Sequence, residues 1–490
     1  MRRVKALSAL LRIADAQCFE ALTRTGYIVR YMSRTFDAIV VGTGQAGPSL
    51  AARLAGAGMK VAVVERDKFG GTCVNNGCTP TKTLVASAYA AQLARRAAEY
   101  GVALEGAVRL DMQKVKARKD AVVGRSNQGV EKWMRGLKNA SVIQGHARFT
   151  GPRTLRVGDE ELSAERIFLN VGARPLVPKM PGLESVPYLT NESMMAVDFL
   201  PEHLVIVGGS YIGLEFGQMF CRFGSRVTII EMAPRIIARE DVDVSEAVRE
   251  ALEAEGVAVR TGAECLAVEK ASEGFSMRLE CSEGAPRVSG THLLLAVGRV
   301  PNTDDLGLEA AGIETDSRGT ITVDGGLRTT NAHVWALGDC NGKGAFTHTA
   351  YNDYEIVADN LLSGADRKWT DRVPIYGLFV DPPLGRVGMN AAEIGAAGIQ
   401  ALVAKRPMTR VARAVEKGET RGFLKIYVEA SSKRILGASL LGTGADEAVH
   451  SLLEAIYART PYTELQRHVR IHPTVSELIP TTLESLEALA

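Results

Sequence analysis

The sequence predicts an α/β chain: two Rossmann-like, doubly wound βαβ domains followed by a C-terminal α/β domain. Three observations predict it. An apolar strand, Phe36–Val41, runs directly into a glycine-rich loop and a helical stretch, Pro48–Gly58. The same succession recurs from His203 to Phe223. Beyond Pro374 the pattern changes to two strands, Gly422–Val428 and Arg434–Leu441, then a helix with one apolar face, Asp446–Arg459, suited to a subunit contact.

At 490 residues the chain has room for roughly three domains of about 150 residues each. A formal net charge of +2 leaves no basic footprint for nucleic acid. No apolar run approaches the about 20 residues of a membrane helix. The seven cysteines are sparse, odd in number and irregularly spaced, unlike a secreted disulfide framework, so the cytoplasm is the default compartment. Residues 1–35 read as an N-terminal extension, disordered or upstream of a natural start at Met32; a targeting segment is the alternative. The long stretch Asp111–Leu137 reads as a mostly polar surface helix.

In the first βαβ unit, Gly42, Gly44 and Gly47 form the fingerprint loop, and the next strand, Lys60–Val64, ends at Glu65. Gly42 makes the turn, Gly44 admits a pyrophosphate, and Gly47 lets helix and strand pack closely. Glu65 can accept hydrogen bonds from a ribose diol. In the second unit Gly208, Ser210 and Gly213 occupy the loop, and the strand Arg226–Ile230 ends at Glu231. The acid follows the first glycine by 23 residues in both units, from Gly42 to Glu65 and from Gly208 to Glu231. One such loop is a weak signal; two at matched spacing imply two dinucleotide cofactors.

Cys73 and Cys78 lie just after the first unit, in Gly71-Thr-Cys-Val-Asn-Asn-Gly-Cys-Thr-Pro-Thr-Lys82. In a regular helix residues five apart are displaced by about 7.5 Å, while a disulfide needs Cα atoms within about 4.4–6.8 Å. The intervening Asn75-Asn76-Gly77 therefore reads as irregular. Thr79 and Pro80 read as N-cap and first helical residue of a helix from Thr81 to about Ala98, whose positive end favours a thiolate at Cys78. Half of a zinc site and a pair of inert buried thiols are the alternatives. A redox dithiol beside the first loop points to a flavin there, fed by a nicotinamide in the second. Glu231 favours NADH over NADPH, because a carboxylate repels a 2′-phosphate. Arg226, Arg235 and Arg239 pull the other way.

On these motifs the chain, from about residue 36 to about residue 480, resembles the class I pyridine nucleotide-disulfide oxidoreductases, the family of dihydrolipoamide dehydrogenase, glutathione reductase and mercuric reductase. The resemblance implies that Cys73 is the interchange thiol and Cys78 the flavin-side, charge-transfer thiol. Lys82 would sit by the flavin and pair with Glu215. Gly71, Thr72, Ala147, Gly172 and Asp339 join Gly42, Gly44, Gly47, Glu65 and Lys82 as implied FAD contacts. Gly298 joins Gly208, Ser210, Gly213 and Glu231 on the NAD(P) side. His472 would move the proton on the interchange thiol of the opposite subunit of a homodimer, oriented by Glu477. Thr474-Val-Ser-Glu477 is also a capping box, and one carboxylate can hardly serve both roles fully. His468 reads as a residue of a solvated helix.

The implied domains are an FAD domain, 36–185, an NAD(P) domain, 186–305, a return to the FAD domain, 306–373, and an interface domain, 374–490. The implied activity is NAD(P)H-driven reduction of a small disulfide, or oxidation of a dithiol, through Cys73 and Cys78, with no resident metal. A metal-ion reductase acting on Hg(II) or Cu(II) is the alternative, although the last cysteine is Cys340 and the paired C-terminal cysteines of mercuric reductases are missing. A dithiol-independent flavin transhydrogenase or NADH oxidase, and a redox sensor acting through a partner, are further rivals.

Overall fold

The computed structural model describes residues 16–22, 28–281 and 284–489. The chain divides into two compact units. One takes the residues up to Asn75, Val123–Arg174 and Arg299–Asp371; the other takes Asn76–Val122, Pro175–Gly298 and Arg372–Ala490.

The first unit is built on one eight-stranded sheet. Its path runs Ala140–Gln144, Val61–Glu65, Ile28–Val41, Glu160–Leu169, Thr154–Val157, Ala147–Gly151. The first four strands are parallel and the last two antiparallel. Val334–Ala336 adds a further parallel strand beside Glu160–Leu169. Successive residues of a strand face opposite sides, and here both sides are covered: Ile39 and Val41 enter one core, Ala38 and Val40 the other. That is why the run Ala38–Val41 is apolar without alternation. The N-terminal extension contributes more than expected. Ala16–Leu22 pairs antiparallel with the start of Ile28–Val41, and that strand begins well before Phe36. The proposed start at Met32 thus falls inside a strand; the rest of the extension lies outside the described residues.

The second unit holds three sheets. A parallel sheet runs Ala258–Arg260, Arg226–Ile230, His203–Val207, His292–Leu295, Tyr188–Leu189. Leu204 and Ile206 face one core, Val205 and Val207 the other, repeating the arrangement of the first unit. A three-stranded antiparallel sheet covers Ala263–Lys270, Phe275–Cys281 and Arg287–Gly290. A six-stranded antiparallel sheet includes Leu384–Gly388, Phe423–Glu429 and Ile435–Leu441.

The predicted helix Asp446–Arg459 is interrupted at Val449, giving Ala445–Ala448 and His450–Tyr457. Its apolar residues Ala448, Leu452 and Ala455 are buried against this unit's own sheet core, while Leu453 and Ile456 are only partly buried and Tyr457 is exposed. The sheet needs a cover, and this face supplies it. The surface helix spans Met112–Arg135, close to expectation. Among the described residues no helix is long and apolar enough to cross a membrane.

Candidate active site and cofactor loops

Each cysteine sits on a helix. Cys73 lies in the short helix Gly71–Asn75, in the first unit, and is partly exposed. Cys78 is exposed and is the first residue of the helix Cys78–Arg95, in the second. Only Asn76 and Gly77 break the helical run between them. The expected cap is displaced: Gly77 caps the helix, not Thr79, and Pro80 is its third residue. The Thr81 amide already reaches the Gly77 carbonyl at 3.1 Å, closing the first turn without a capping side chain. Proline is tolerated there because first-turn N–H groups have no helical partner.

In the first unit the glycine loop is held from behind by Asn170. Its Oδ1 accepts the Gly47 N–H at 3.0 Å and its Nδ2 donates to the Leu337 carbonyl at 3.0 Å. Gly42 has φ 97°, and a Cβ there would lie 2.3 Å from the Asn170 carbonyl oxygen, so only glycine makes this turn. A Cβ on Gly71 would lie 2.8 Å from the Gly44 Cα, so the cysteine-bearing segment rests on the loop itself. Buried Glu65 accepts from the Thr43 N–H and hydroxyl and from the Asp67 N–H. A ribose diol would use its remaining lone pairs. Ala147 is buried at the start of its strand, with its backbone opposite Val157. Gly172 faces open space, with no atom within 4 Å of where a Cβ would stand.

Asp339 lies 3.4 Å from Arg299 Nη2. Burial pushes its carboxyl above the ordinary range, opposed by Arg299 and reinforced by Asp353. The same Arg299 nitrogen reaches the Ala173 carbonyl and the Thr72 hydroxyl, while its buried Nε has no hydrogen-bond partner among the described residues. A buried guanidinium N–H left without an acceptor, beside an open Gly172 and a glycine loop, fits an anionic dinucleotide such as FAD.

In the second unit Cys78 and Lys82 are one turn apart on one helix face. The Lys82 ammonium contacts both Glu215 oxygens, at 2.9 and 2.7 Å, and lies 4.7 Å from the Phe379 ring centre. Glu215 is 5% exposed, and the Phe379 N–H, 3.0 Å away, satisfies it further. A buried carboxylate demands such partners.

The second glycine loop repeats the first. Gly208 has φ 116°, with a hypothetical Cβ 2.3 Å from the Ala296 carbonyl oxygen, and Gly213 packs on Gly208. Glu231 accepts the Gly209 and Ala233 N–H groups at 2.7 and 2.8 Å. Ser210 caps the helix Tyr211–Phe223 by position, without a side-chain bond. Gly298 has φ 130°. Arg235 is engaged with the Ala238 carbonyl of its own loop.

His472 Nδ1 lies 3.0 Å from both Glu477 oxygens. Glu477 Oε1 also accepts the Thr474 N–H at 3.3 Å, and the Thr474 hydroxyl accepts the Glu477 N–H at 3.2 Å. The reciprocal bonds of the expected capping box are present, but they close a turn before the helix Leu478–Thr482, which has Glu477 itself at its cap; the carboxylate holds both Thr474 and His472 because each uses a different lone pair. His472 is largely exposed and His468 is exposed beyond the helix Tyr462–Leu465, not on it. Asn170, Arg299, Thr43 and Asp353 were not anticipated as site residues. Arg299 adjoins Gly298 and Asn170 stands two residues before Gly172, glycines already singled out, and that nearness is the signal that pointed to them.

Residues 36–353 match the pyridine nucleotide-disulphide oxidoreductase family, and residues 375–483 match the pyridine nucleotide-disulphide oxidoreductase dimerisation domain. The chain is 36% identical to the probable pyridine nucleotide-disulfide oxidoreductase RclA of Escherichia coli, over 90% of this chain and 97% of that protein. It is 33% identical to dihydrolipoyl dehydrogenase of Thermus scotoductus (93% and 98%) and 32% identical to mercuric reductase of Streptomyces lividans (91% and 94%). The solved Cu(II) complex of the HOCl-induced flavoprotein disulfide reductase RclA from Escherichia coli matches with a TM-score of 0.84 and 35% identity, over 92% of this chain and 99% of that one.

Proposed function

The chain belongs to the pyridine nucleotide-disulphide oxidoreductase family, and on that premise we propose that it carries electrons from NADH through FAD to a Cys73–Cys78 disulfide and on to a small disulfide. The observation that carries this reading is the shared helix face of Cys78 and Lys82, with Lys82 fixed by the buried Glu215. A thiol and an ammonium one turn apart at a helix start suit a thiolate beside an electron carrier. When bound, FAD supplies a two-electron step between nicotinamide and disulfide.

In net terms NADH gives up a hydride, and the Cys73–Cys78 disulfide opens to one thiol and one thiolate. Cys78 keeps the thiolate, and His472 takes the proton of the Cys73 thiol; Cys73 attacks the substrate disulfide, forming a mixed disulfide, and His472 returns that proton to the released thiolate. The Cys78 thiolate then attacks Cys73, restores the disulfide and releases the second thiolate, which takes up a proton from solvent. Glu477 orients His472, whose Nε2 is left for substrate. In this reading His472 serves the opposite subunit of a homodimer, which the match to a dimerisation domain supports. The carboxylate of Glu231 supports NADH over NADPH. A reducing cytoplasm is the compartment that suits such a cycle.

A second reading, reduction of Cu(II) or Hg(II) at the same thiols, is supported by the Cu(II) complex of RclA and by the mercuric reductase among the relatives. The test is NADH and NADPH oxidation by the FAD-loaded protein against lipoamide, glutathione disulfide, Cu(II), Hg(II) and O₂, repeated with Cys73→Ser. Turnover of a disulfide that the substitution abolishes supports the first reading. Turnover of metal ions alone supports the second. Activity that survives the substitution refutes both.

A further inference from the structure

In the second unit the helix Tyr211–Phe223 carries buried polar side chains at Glu215, Gln218 and Arg222. Steps of three and four residues place them in one row along the helix. All three hold the same short segment, residues 379–381. Glu215 Oε1 accepts the Phe379 N–H at 3.0 Å. Gln218 brackets the Asp381 backbone: its Oε1 accepts the Asp381 N–H and its Nε2 donates to the Asp381 carbonyl, both at 2.7 Å. The other Nε2 proton reaches Glu255 Oε1 at 3.2 Å. Arg222 Nη2 donates to the Asp381 carboxylate at 2.6 Å. The Gln218 amide has one workable orientation, because turning it over would set oxygen against carbonyl and N–H against N–H.

What the segment holds in turn is Lys82. Its side chain is 35% exposed, so the ammonium is free to turn to water unless something keeps it in. Two contacts do so: the Glu215 carboxylate, and the Phe379 ring with its centre 4.7 Å away. Both involve residues 379–381. The ring belongs to the segment, and the Phe379 N–H shares Glu215 Oε1 with Lys82. An ammonium is attracted to a ring face only within about 6 Å of its centre, so a small shift of the segment loosens the contact. Glu215 is the carboxylate that meets Lys82; the neighbouring acids, Asp381 and Glu255, are both engaged by Arg222.

Resting on the reading that the Lys82 ammonium favours a thiolate at Cys78, we propose that Gln218 is a positioning residue: by fastening residues 379–381 it fixes where that ammonium stands. Cys78 and Lys82 are one turn apart on one face of the helix Cys78–Arg95, so an ammonium held in place acts on the thiolate at short range. An ammonium that samples water acts more weakly, because solvent screens it. Without Gln218 the Asp381 N–H and carbonyl lose the partners that Gln218 gives them and are drawn toward water. Arg222 still holds the Asp381 side chain, but not the backbone that carries Phe379. The thiolate at Cys78 then forms at higher pH.

The experiment uses the reduced, FAD-loaded protein carrying Cys73→Ser, so that Cys78 is followed alone. Iodoacetamide labelling of the exposed Cys78 is timed across pH and read by peptide mass, and the midpoint of the rate profile marks thiolate formation. Lys82→Met, which also leaves Glu215 unopposed, sets the upper limit of the effect. Gln218→Leu removes the fastening. Val205→Ala, in a separate core of the same unit, loosens the fold without touching residues 379–381. The expected result is a midpoint raised by about 0.3–0.5 pH unit in Gln218→Leu, smaller than the rise in Lys82→Met, with Val205→Ala at the reference value. Should Gln218→Leu fail to fold, Phe379→Leu, which removes the ring and keeps the N–H, decides by the same rise. A raised midpoint in Lys82→Met with none in the deciding variant overturns the positioning role, since Glu215 alone then places the ammonium. An equal rise in Val205→Ala overturns it too. An unshifted Lys82→Met refutes the reading of Lys82 itself, and the positioning role with it.

Discussion

Glu240→Gln should flatten the pH dependence of stability. Glu240 is 3% exposed. The Tyr376 hydroxyl donates to its Oε1, but Oε2 has no hydrogen-bond partner among the described residues, and its nearest cation, Arg386 Nε, is 3.5 Å away. Arg386 is also shared with Glu393. Burial, with Asp241 and Glu393 adding to it and Arg386 opposing, pushes the carboxyl up to about 7, from a model-compound value of 4.5. The native protein thus keeps a proton that the unfolded chain gives up. The stability this confers is complete below about pH 4.5 and is lost as pH rises through about 7. A shift of about 2.5 units at 1.36 kcal/mol each makes the loss about 3 kcal/mol by pH 8. Glutamine is neutral throughout and still accepts from Tyr376. Urea unfolding of both proteins, followed by circular dichroism from pH 5 to 8.5, isolates the effect, since groups not coupled to Glu240 titrate equally in each. The stability difference should grow in the variant's favour by roughly 2–3 kcal/mol across that range. Parallel curves would show that Glu240 is ionised in the native state at little cost, and the argument from burial would fail.

Glu477→Gln should lower kcat for disulfide turnover by roughly tenfold to a hundredfold while leaving the melting temperature nearly unchanged, because glutamine still accepts the Thr474 N–H but carries no charge for His472. Gly42→Ala should yield protein that does not retain FAD, checked by the flavin-to-protein absorbance ratio, since the methyl would overlap the Asn170 carbonyl. Arg222→Ala should cost roughly 3–5 kcal/mol in denaturant unfolding, because it strips the buried Glu255 carboxylate of a guanidinium held at 2.6 Å and frees Asp381 of the same partner. Glu231→Ala should raise KM for NADH about tenfold or more, with little change for NADPH.

What was legible in the sequence is what local pattern determines. The strands His203–Val207 and Arg226–Ile230 end where their sequence places them, because buried parallel strands are largely apolar and Gly208 and Glu231 follow them directly. The two glycine loops were legible because close packing leaves no room for any other residue. The helix start at Cys78 was not, since its first turn is closed by a backbone bond from Thr81 to Gly77 that carries no side-chain signature. Nor was the burial of the face on Ala445–Tyr457. An apolar stripe announces that it is covered, not by what, and here the cover is the strands beside it. Asn170 and Arg299 escaped for a related reason. A polar residue at a strand terminus, such as Asn170 after Leu169 or Arg299 at the start of Arg299–Pro301, acquires its role only when segments distant in sequence come side by side, as Glu160–Leu169 and Val334–Ala336 do.

Glu477 shows how the two levels join. A capping box needs a carboxylate three residues past the cap, and a His base needs a carboxylate at Nδ1. Sequence reading treats these as rival uses of one side chain. In the structure the helix is Leu478–Thr482 with Glu477 itself at its cap, so the reciprocal Thr474–Glu477 bonds close a turn just before the helix, and that turn holds the carboxylate beside His472 Nδ1. The coupling has a consequence. Thr474→Ala removes the bond from the Glu477 N–H and should loosen the turn by about 1 kcal/mol. If the turn positions the carboxylate, the same substitution also lowers kcat and shifts its pH profile toward that of Glu477→Gln. A Thr474 variant that is less stable but unchanged in pH profile would mean that His472 holds Glu477 without help from the turn.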